Sequence, residues 1–354
     1  MTDTIATVAV IPGDGIGTEV TPAAVRVLDE TLRLHGTAIQ WNWLDWGCDY
    51  FVTHGRMMPS DGLDVLADHD AILLGAVGRP DVPDHESLWG LLIPIRQRFD
   101  QYVNLRPIKS FHGVQTAARI PAGVDVDMLI IRENTEGEYT QLGGRFATGT
   151  QREFAIQEAI FTRTGIDRIA DYAFRAATTR RNKVTSATKS NGIIHTMPFW
   201  DDVVAAAATR HPDVHLTKEL IDALAAHLVQ KPQEYDVIVA SNLFGDILSD
   251  LAAAIVGGLG LAPSANLNPE RAHPSMFEPV HGSAPDIAGR GVANPVAAVW
   301  SGALMLEHLG HAEPATKMMT AIATTLASPA TRTQDLGGTA TTSDVVTACL
   351  ATLA

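Results

Sequence analysis

The sequence has only two cysteines, Cys48 and Cys349, and they lie far apart. A disulfide framework and a cysteine-built zinc site are therefore not expected, and a reducing cytoplasm fits. Long apolar runs are also missing. No stretch of about 18 uncharged apolar residues occurs, so no membrane span is expected. The first residues, Met-Thr-Asp-Thr-Ile-Ala-Thr, lack the basic opening and apolar core of a signal peptide. Basic charge is the scarcer kind, with 26 Lys and Arg against 40 Asp and Glu and a net charge of −14. That balance argues against nucleic acid and anionic membrane as partners. It also means that an acidic substrate would have to be held by a local cluster of arginines. No internal repeat or low-complexity segment breaks the chain. What remains is 354 residues with 46% apolar and 19% charged side chains. That length and composition suit two globular domains at roughly 100–200 residues each.

Short β-branched or apolar runs recur between helical stretches. Residues 7–12 form one, followed by Gly13-Asp-Gly-Ile-Gly17 and an expected helix over 19–35. Residues 38–45 alternate as a half-exposed strand does. Residues 71–75, 127–131 and 235–240 are continuous apolar runs, which predict strands buried on both faces. Strands alternating with helices define an α/β class with a substantially parallel sheet. A polar, turn-rich stretch at 143–152 predicts an arm or hairpin. A Gly/Pro/Asn stretch at 257–269 predicts a crossing between domains.

Gly13-x-Gly15, placed after a strand and before a helix, partly matches a dinucleotide fingerprint. The third glycine of that fingerprint belongs three positions beyond the second. Thr18 stands there instead, and Gly17 comes one residue early. An acidic residue, Asp45, does end the second strand, so the match is partial. A glycine turn between strand and helix is the plainer reading. Such a turn still permits a close backbone approach.

Residues 242–254 read Asn-Leu-Phe-Gly-Asp-Ile-Leu-Ser-Asp-Leu-Ala-Ala-Ala, directly after a buried strand. Asn242 is expected as an N-cap. Helical spacing puts Asp246 and Asp250 on one face, with Ile247, Leu248, Leu251 and Ile255 on the other. Two like charges there repel by a few tenths of a kcal/mol. A hard divalent cation such as Mg²⁺ or Mn²⁺ would offset the repulsion. On spacing alone a solvated acidic face is the simpler reading. Asp222, in an expected helix over 218–229, joins this pair only if folding or a second subunit brings it near.

Arginine clamps carboxylates through two parallel hydrogen bonds. Arg96 and Arg98 lie in Leu-Ile-Pro-Ile-Arg-Gln-Arg, Arg106 in Tyr-Val-Asn-Leu-Arg-Pro, and Arg132 closes a buried strand. A charge at a strand's carboxyl end points to the crevice where α/β proteins bind ligands. Surface salt bridging suits Arg98 better and competes evenly at Arg96 and Arg106.

Five ordered blocks then carry a family resemblance: Ile11-Pro-Gly-Asp-Gly-Ile-Gly17, Asn104-Leu-Arg-Pro107, Arg132-Glu-Asn-Thr-Glu-Gly-Glu-Tyr139, residues 242–250, and Met276-Phe-Glu-Pro-Val-His-Gly-Ser-Ala-Pro-Asp286. Over nearly its whole length the chain resembles the β-decarboxylating dehydrogenases, the isocitrate/isopropylmalate dehydrogenase family. The resemblance implies a two-domain fold distinct from the Rossmann fold. Residues 1–101 and 257–354, from both chain ends, would form a cofactor-binding domain. Residues 102–256 would form a central domain with a dimerisation arm and the metal-site helix. The site would lie in a cleft and be shared across a homodimer.

By motif position the resemblance makes Arg96, Arg106 and Arg132 the carboxylate binders. It makes Asp246 and Asp250 metal ligands, with Asp222 supplied by the other subunit. Tyr139 becomes the proton donor and Lys189 the base. Without the resemblance, Lys189 reads as a surface lysine and Tyr139 as a half-buried aromatic. The loop His281-Gly282-Ser283-Ala284, with Asp286 and Asn294, resembles the family's adenosine-binding loop. By itself it reads as a Gly/Pro surface turn. A carboxylate at Asp286 accepts from ribose hydroxyls and repels a 2′-phosphate, which favours NAD over NADP. Mn²⁺ or Mg²⁺ is the expected metal, and a monovalent cation such as K⁺ a further candidate.

The segment Val82-Pro-Asp-His-Glu-Ser-Leu-Trp-Gly-Leu-Leu-Ile-Pro-Ile-Arg96 resembles the tartrate and D-malate branch of the family. Trp46-Gly-Cys-Asp-Tyr50, Gly55-Arg-Met-Met-Pro59, Phe99-Asp-Gln-Tyr-Val-Asn104 and Thr185-Ser-Ala-Thr-Lys-Ser-Asn-Gly192 do the same. The expected activity is oxidation of a small 2-hydroxy dicarboxylate, with or without decarboxylation. Leu91, Leu92 and Ile93 offer an apolar pocket for an alkyl branch, which keeps 3-isopropylmalate as the alternative substrate. A methylene or two is worth only about 1–3 kcal/mol of discrimination. A non-catalytic metal- and nucleotide-binding homologue is the alternative of another class. The retention of Lys189, Tyr139 and all three Asp and Arg speaks against it. A phosphotransferase lacks the phosphate-binding Gly-x-x-x-x-Gly-Lys-Ser/Thr loop it would need.

Overall fold

The computed structural model describes residues 3–117, 120 and 124–354. Among these, the strands in chain order are β1 (Asp3–Gly13), β2 (Thr37–Trp43), β3 (Ala71–Ala76), β4 (Val103–Lys109), β5 (Asp127–Glu133), β6 (Gly143–Phe146), β7 (Phe154–Gln157), β8 (Lys183–Thr188), β9 (His215–Leu220), β10 (Val237–Ala240), β11 (Pro263–Leu267) and β12 (Ser275–Pro279). The chain divides into two compact units. One comprises Met1–Gln101, Lys109–Ala117 and Ala253–Ala354, and the other Tyr102–Ile108 and Ala118–Ala252.

In the first unit the strand order is β2-β1-β3-β12-β11. β1 runs parallel to β2 and β3, β12 parallel to β3, and β11 antiparallel to β12. Every residue of β3 is buried, as its continuous apolar run predicts. The Gly17–Leu34 helix buries Val20, Ala24, Val27 and Leu28, which recur at helical spacing, and packs on the Val296–His308 helix.

In the second unit the order is β4-β5-β10-β8-β9, with β5, β10, β8 and β9 mutually parallel. The Arg163–Thr178 helix lies on this sheet and buries Ile166, Ile169, Ala173 and Phe174. Each such large apolar side chain contributes about 1.5–3 kcal/mol. Thr162 caps that helix by accepting from the Gly165 amide at 2.9 Å. The turn-rich stretch at 143–152 opens a two-stranded hairpin of β6 and β7, every residue of which is exposed.

Several expectations are corrected. Residues 218–220 are not helical: they finish β9, whose parallel ladder with β8 runs through Thr188 and Leu220. The helix begins at Ile221, so Asp222 sits in its first turn. The stretch 257–269 is no simple linker, because it contains β11, whose five residues are all buried. Ile247 does not share the buried face with Leu248; it is 54% exposed, beside the aspartates. Leu91 and Ile93 are buried, Leu91 in an apolar core with Ile11, Leu74 and Phe99, and Leu92 packs against that core. Their packing serves the fold of the first unit and leaves only part of Leu92 accessible. A π-helical turn at Leu88–Leu92 sets this register.

Candidate active site

The Asn242–Val256 helix, which belongs to the second unit through Ala252, follows β10 after one residue. Asp246 and Asp250 lie one turn apart on it, as the spacing predicts. Two buried guanidiniums meet them. Arg132, at the end of β5, donates Nη1 to Asp246 Oδ1. Arg106, on β4, brings Nη1 to 3.1 Å from Asp246 and 3.5 Å from Asp250. The like-charge repulsion on the helix is thus offset within the chain by two cations. Burial is the largest influence on the Asp250 carboxyl and pushes its pKa up, with the Asp246 charge adding to it and Arg106 and Arg132 opposing it.

Both arginines are aimed by polar side chains. Arg106 Nε donates to Asn104 Oδ1 at 2.7 Å and its Nη1 to Ser249 Oγ at 2.6 Å. Arg132 Nε and Nη2 both donate to Asn242 Oδ1, at 3.0 and 2.7 Å. Asn242 is therefore not the N-cap. It is the first residue of the helix, and its amide also donates to the Glu136 carbonyl at 3.0 Å. Gly245 is as necessary. A Cβ there would stand 2.6 Å from Arg132 Cβ. Asn104, Ser249 and Gly245 escaped the sequence reading because their roles depend on which strand faces the helix.

Tyr139 joins this cluster. Its hydroxyl donates to Asp246 Oδ2 at 2.9 Å, and the Arg132 guanidinium lies 5.5 Å from its ring centroid. Burial, then the Asp246 charge, raise the phenol pKa, which keeps the proton on oxygen at neutral pH. Lys189 pairs instead with Asp222, donating Nζ to Oδ1 at 2.6 Å, and that bond lowers the Asp222 pKa. Among the described residues, no three His, Cys, Asp or Glu side chains gather closely enough to hold a metal ion. Asp222 thus does not complete a carboxylate trio with Asp246 and Asp250 inside one chain. The pair Asp246 and Asp250 still offers hard oxygen donors of the kind Mg²⁺ and Mn²⁺ prefer.

In the first unit, Arg96 donates Nη2 to Glu278 Oε1 at 2.8 Å, and the same oxygen accepts from Asn266 at 2.8 Å. Among the described residues Arg96 Nε is buried with no hydrogen-bond partner, so this guanidinium retains a donor.

The loop at 281–286 is also in the first unit. It is seated on the glycine turn: the Ile16 amide donates to the Ser283 carbonyl at 2.8 Å. Gly15, at φ +55°, brings its backbone so near that a Cβ would stand 2.0 Å from that carbonyl oxygen. The glycine turn therefore receives a protein loop, which accounts for its partial fingerprint. Glu19 accepts from the Gly289 and Gly291 amides at 2.6 and 2.8 Å and ties down the loop's far end. A cavity of about 470 Å³ opens beside this loop, lined by Ile16, His281, Ala284, Ile287, Asn294 and Asp335, among others. Among the described residues His281 Nε2 is buried with no hydrogen-bond partner, and burial lowers the imidazole pKa. Asn294 donates to Asp335 at 3.0 Å. Gly282 and Asp286 are exposed and, like Ser283, do not line the cavity. Asp335 does, and the sequence reading missed it because it lies 49 residues beyond Asp286.

The fold thus combines arginines gathered on an aspartate helix, a phenol on the same carboxylate and a loop-lined cavity. The chain belongs to the isocitrate/isopropylmalate dehydrogenase family, whose model matches residues 7–349. It is 52% identical to the tartrate dehydrogenase/decarboxylase of Pseudomonas putida, over 98% of this chain and 97% of that one. It is 51% identical to the decarboxylating D-malate dehydrogenase of Escherichia coli (strain K12), over 96% of each. The crystal structure of isocitrate dehydrogenase from Methylococcus capsulatus superposes with a TM-score of 0.89 at 34% identity, covering 98% of this chain and 99% of that one. No helix among the described residues is long and apolar enough to cross a membrane.

Proposed function

We propose that this oxidoreductase uses NAD and a divalent cation to oxidise a small 2-hydroxy dicarboxylic acid, with D-malate or tartrate as the preferred substrate. The observation that carries the reading is the convergence of Arg106, Arg132 and Tyr139 on Asp246 and Asp250. The substrate's carboxylates take Arg96, Arg106 and Arg132 as partners. Asp246 and Asp250 would hold Mg²⁺ or Mn²⁺, which would supply Lewis acidity for the oxidation. The cavity beside His281 and Asn294 would hold NAD, which would supply the hydride acceptor, and His281 Nε2, buried without a hydrogen-bond partner among the described residues, suits a nucleoside edge. Lys189 accepts the hydroxyl proton. Where decarboxylation follows, loss of CO₂ leaves an enolate, and the Tyr139 hydroxyl delivers a proton to its carbon.

The site is completed by a second copy of the chain. Asp222 is not brought to the aspartate helix within one chain, and the exposed hairpin stacks Phe146 on Phe154 beside exposed Ile156. Such an apolar arm suits self-association. Because Lys189 is bound to Asp222, the copy that supplies one supplies the other.

NADH formation with Mn²⁺ over D-malate, L- and meso-tartrate, 3-isopropylmalate and isocitrate, with and without chelator, tests the reading. D-malate or tartrate is expected to give the highest kcat/KM, and chelator to abolish it. No NADH from any acid ends the dehydrogenase proposal, and a clear optimum on 3-isopropylmalate overturns the substrate choice.

A further inference from the structure

The segment from Arg132 to Tyr139 carries three glutamates, at 133, 136 and 138, and the proposed chemistry uses none of them. The structure gives each a separate anchor. Glu133 turns back on its own loop and accepts from the Thr135 and Glu136 amides at 3.1 and 2.8 Å. Glu136 accepts from the Thr162 amide and hydroxyl at 2.9 and 2.8 Å. Glu138 reaches the start of the aspartate helix, where it accepts from Ser241 Oγ at 2.8 Å and from the Leu243 amide at 3.0 Å.

The first four amides of a helix have no partner inside it, and a carboxylate placed there is favoured by the helix dipole. Glu138 supplies that carboxylate from a distant part of the chain. The next residue, Tyr139, donates its hydroxyl to Asp246, three residues beyond Leu243 and so about one turn further along the same helix. Two consecutive side chains therefore hold two consecutive turns. Gly137 lets the segment come close, since at φ +96° a Cβ there would stand 3.2 Å from Asn242 Cβ.

We propose that Glu138 is a positioning residue: by clamping the first turn of the aspartate helix it fixes the Tyr139 hydroxyl against Asp246. This rests on the proton-donor role proposed for Tyr139. Glu138 touches neither substrate nor nucleotide in this account and acts only through its neighbour. Misplacing a reacting group by about 1 Å costs on the order of 10²-fold in rate.

The test is a double-mutant comparison in the full-length enzyme with NAD, Mn²⁺ and its best acid substrate. E138A should lower kcat by about 10- to 100-fold and change KM for the acid by less than about threefold. E138Q keeps an acceptor oxygen and should recover much of the loss. In a Y139F background, E138A should lower kcat by less than about threefold, because the group it positions is already gone. Full, additive loss in that background overturns the inference, as does an E138A defect confined to KM or a wild-type kcat in E138A. Wild-type turnover in the same assay reports on the functional reading separately. A wild-type protein inactive on every acid sinks that reading and this inference with it, whereas an active wild type with additive variants sinks only the inference.

Discussion

Lys189 and Asp222 form an ion pair at 2.6 Å, between a residue just beyond β8 and the first turn of the helix that follows β9. The parallel β8–β9 ladder ends at Thr188 and Leu220, so it delivers both residues to the same end of the sheet. Replacing Lys189 with Ala should remove the proposed base and cut kcat by about 10²–10⁴-fold. NAD affinity, measured by fluorescence titration, should stay within about twofold, since the proposed nucleotide cavity is lined by other residues. Near-normal turnover in this variant excludes the role.

If the second copy supplies Lys189 and Asp222 together, two strongly impaired variants should complement each other. Y139F and K189A chains, mixed as subunits, form about half mixed dimers at random assortment, each with one intact site of two. About one quarter of wild-type activity is then expected on that symmetry argument. Activity no higher than the sum of the two variants alone places Tyr139 and Lys189 in the same chain's site.

Gly245 has no room for a side chain, because its Cβ would stand 2.6 Å from Arg132 Cβ and 2.7 Å from Cγ. G245A must push the arginine or the helix aside. Overpacking of this kind costs about 1–3 kcal/mol of stability. The displaced guanidinium should also lower kcat/KM for the dicarboxylate by about 10²-fold. Steady-state kinetics with a thermal melt separates the two effects, and unchanged kinetics shows that Arg132 tolerates the shift.

Glu133 offers a pH signature. Its side chain is buried, and burial raises the carboxyl pKa from 4.5 to about 7, against the opposing bonds from Glu136 and Thr135. A folded-state pKa above the unfolded one stabilises fully below the unfolded value, and the effect is lost as pH rises through the folded value. Between pH 4.5 and 8 the loss amounts to about 3 kcal/mol. E133Q cannot ionise, so the stability of wild type relative to E133Q should fall by about that amount as pH rises across this range. Denaturant curves that stay parallel at both pH values refute the prediction.

The glycine turn makes a claim about the nucleotide. G15A would set a methyl group 2.0 Å from the Ser283 carbonyl and force a positive φ on alanine. The loop bearing His281 should shift, and the Kd for NAD should rise by about tenfold or more, a change of about 1.4 kcal/mol. Calorimetric titration with NAD alone reads this without turnover. An unchanged Kd dissociates the loop from the cofactor.

Some of this was legible in the chain itself. Apolar runs at 71–75 and 127–131 became β3 and β5; β3 is buried at every residue, since a strand buried on both faces admits no polar alternation, whereas β5 opens on exposed Asp127. Helical spacing placed Asp246 and Asp250 on one face, because that geometry is local. Spacing could not say what faces them. Only the packing of β4 and β5 against the helix brings Arg106 and Arg132 to those carboxylates, across 140 and 114 residues of sequence for the contacts with Asp246. The same holds for Gly245, whose need is set by a side chain on another element, and for Asp335, which reaches the cavity from far down the chain. Local periodicity determines which face a residue occupies; the partner on that face is chosen by long-range packing, which no window of sequence contains.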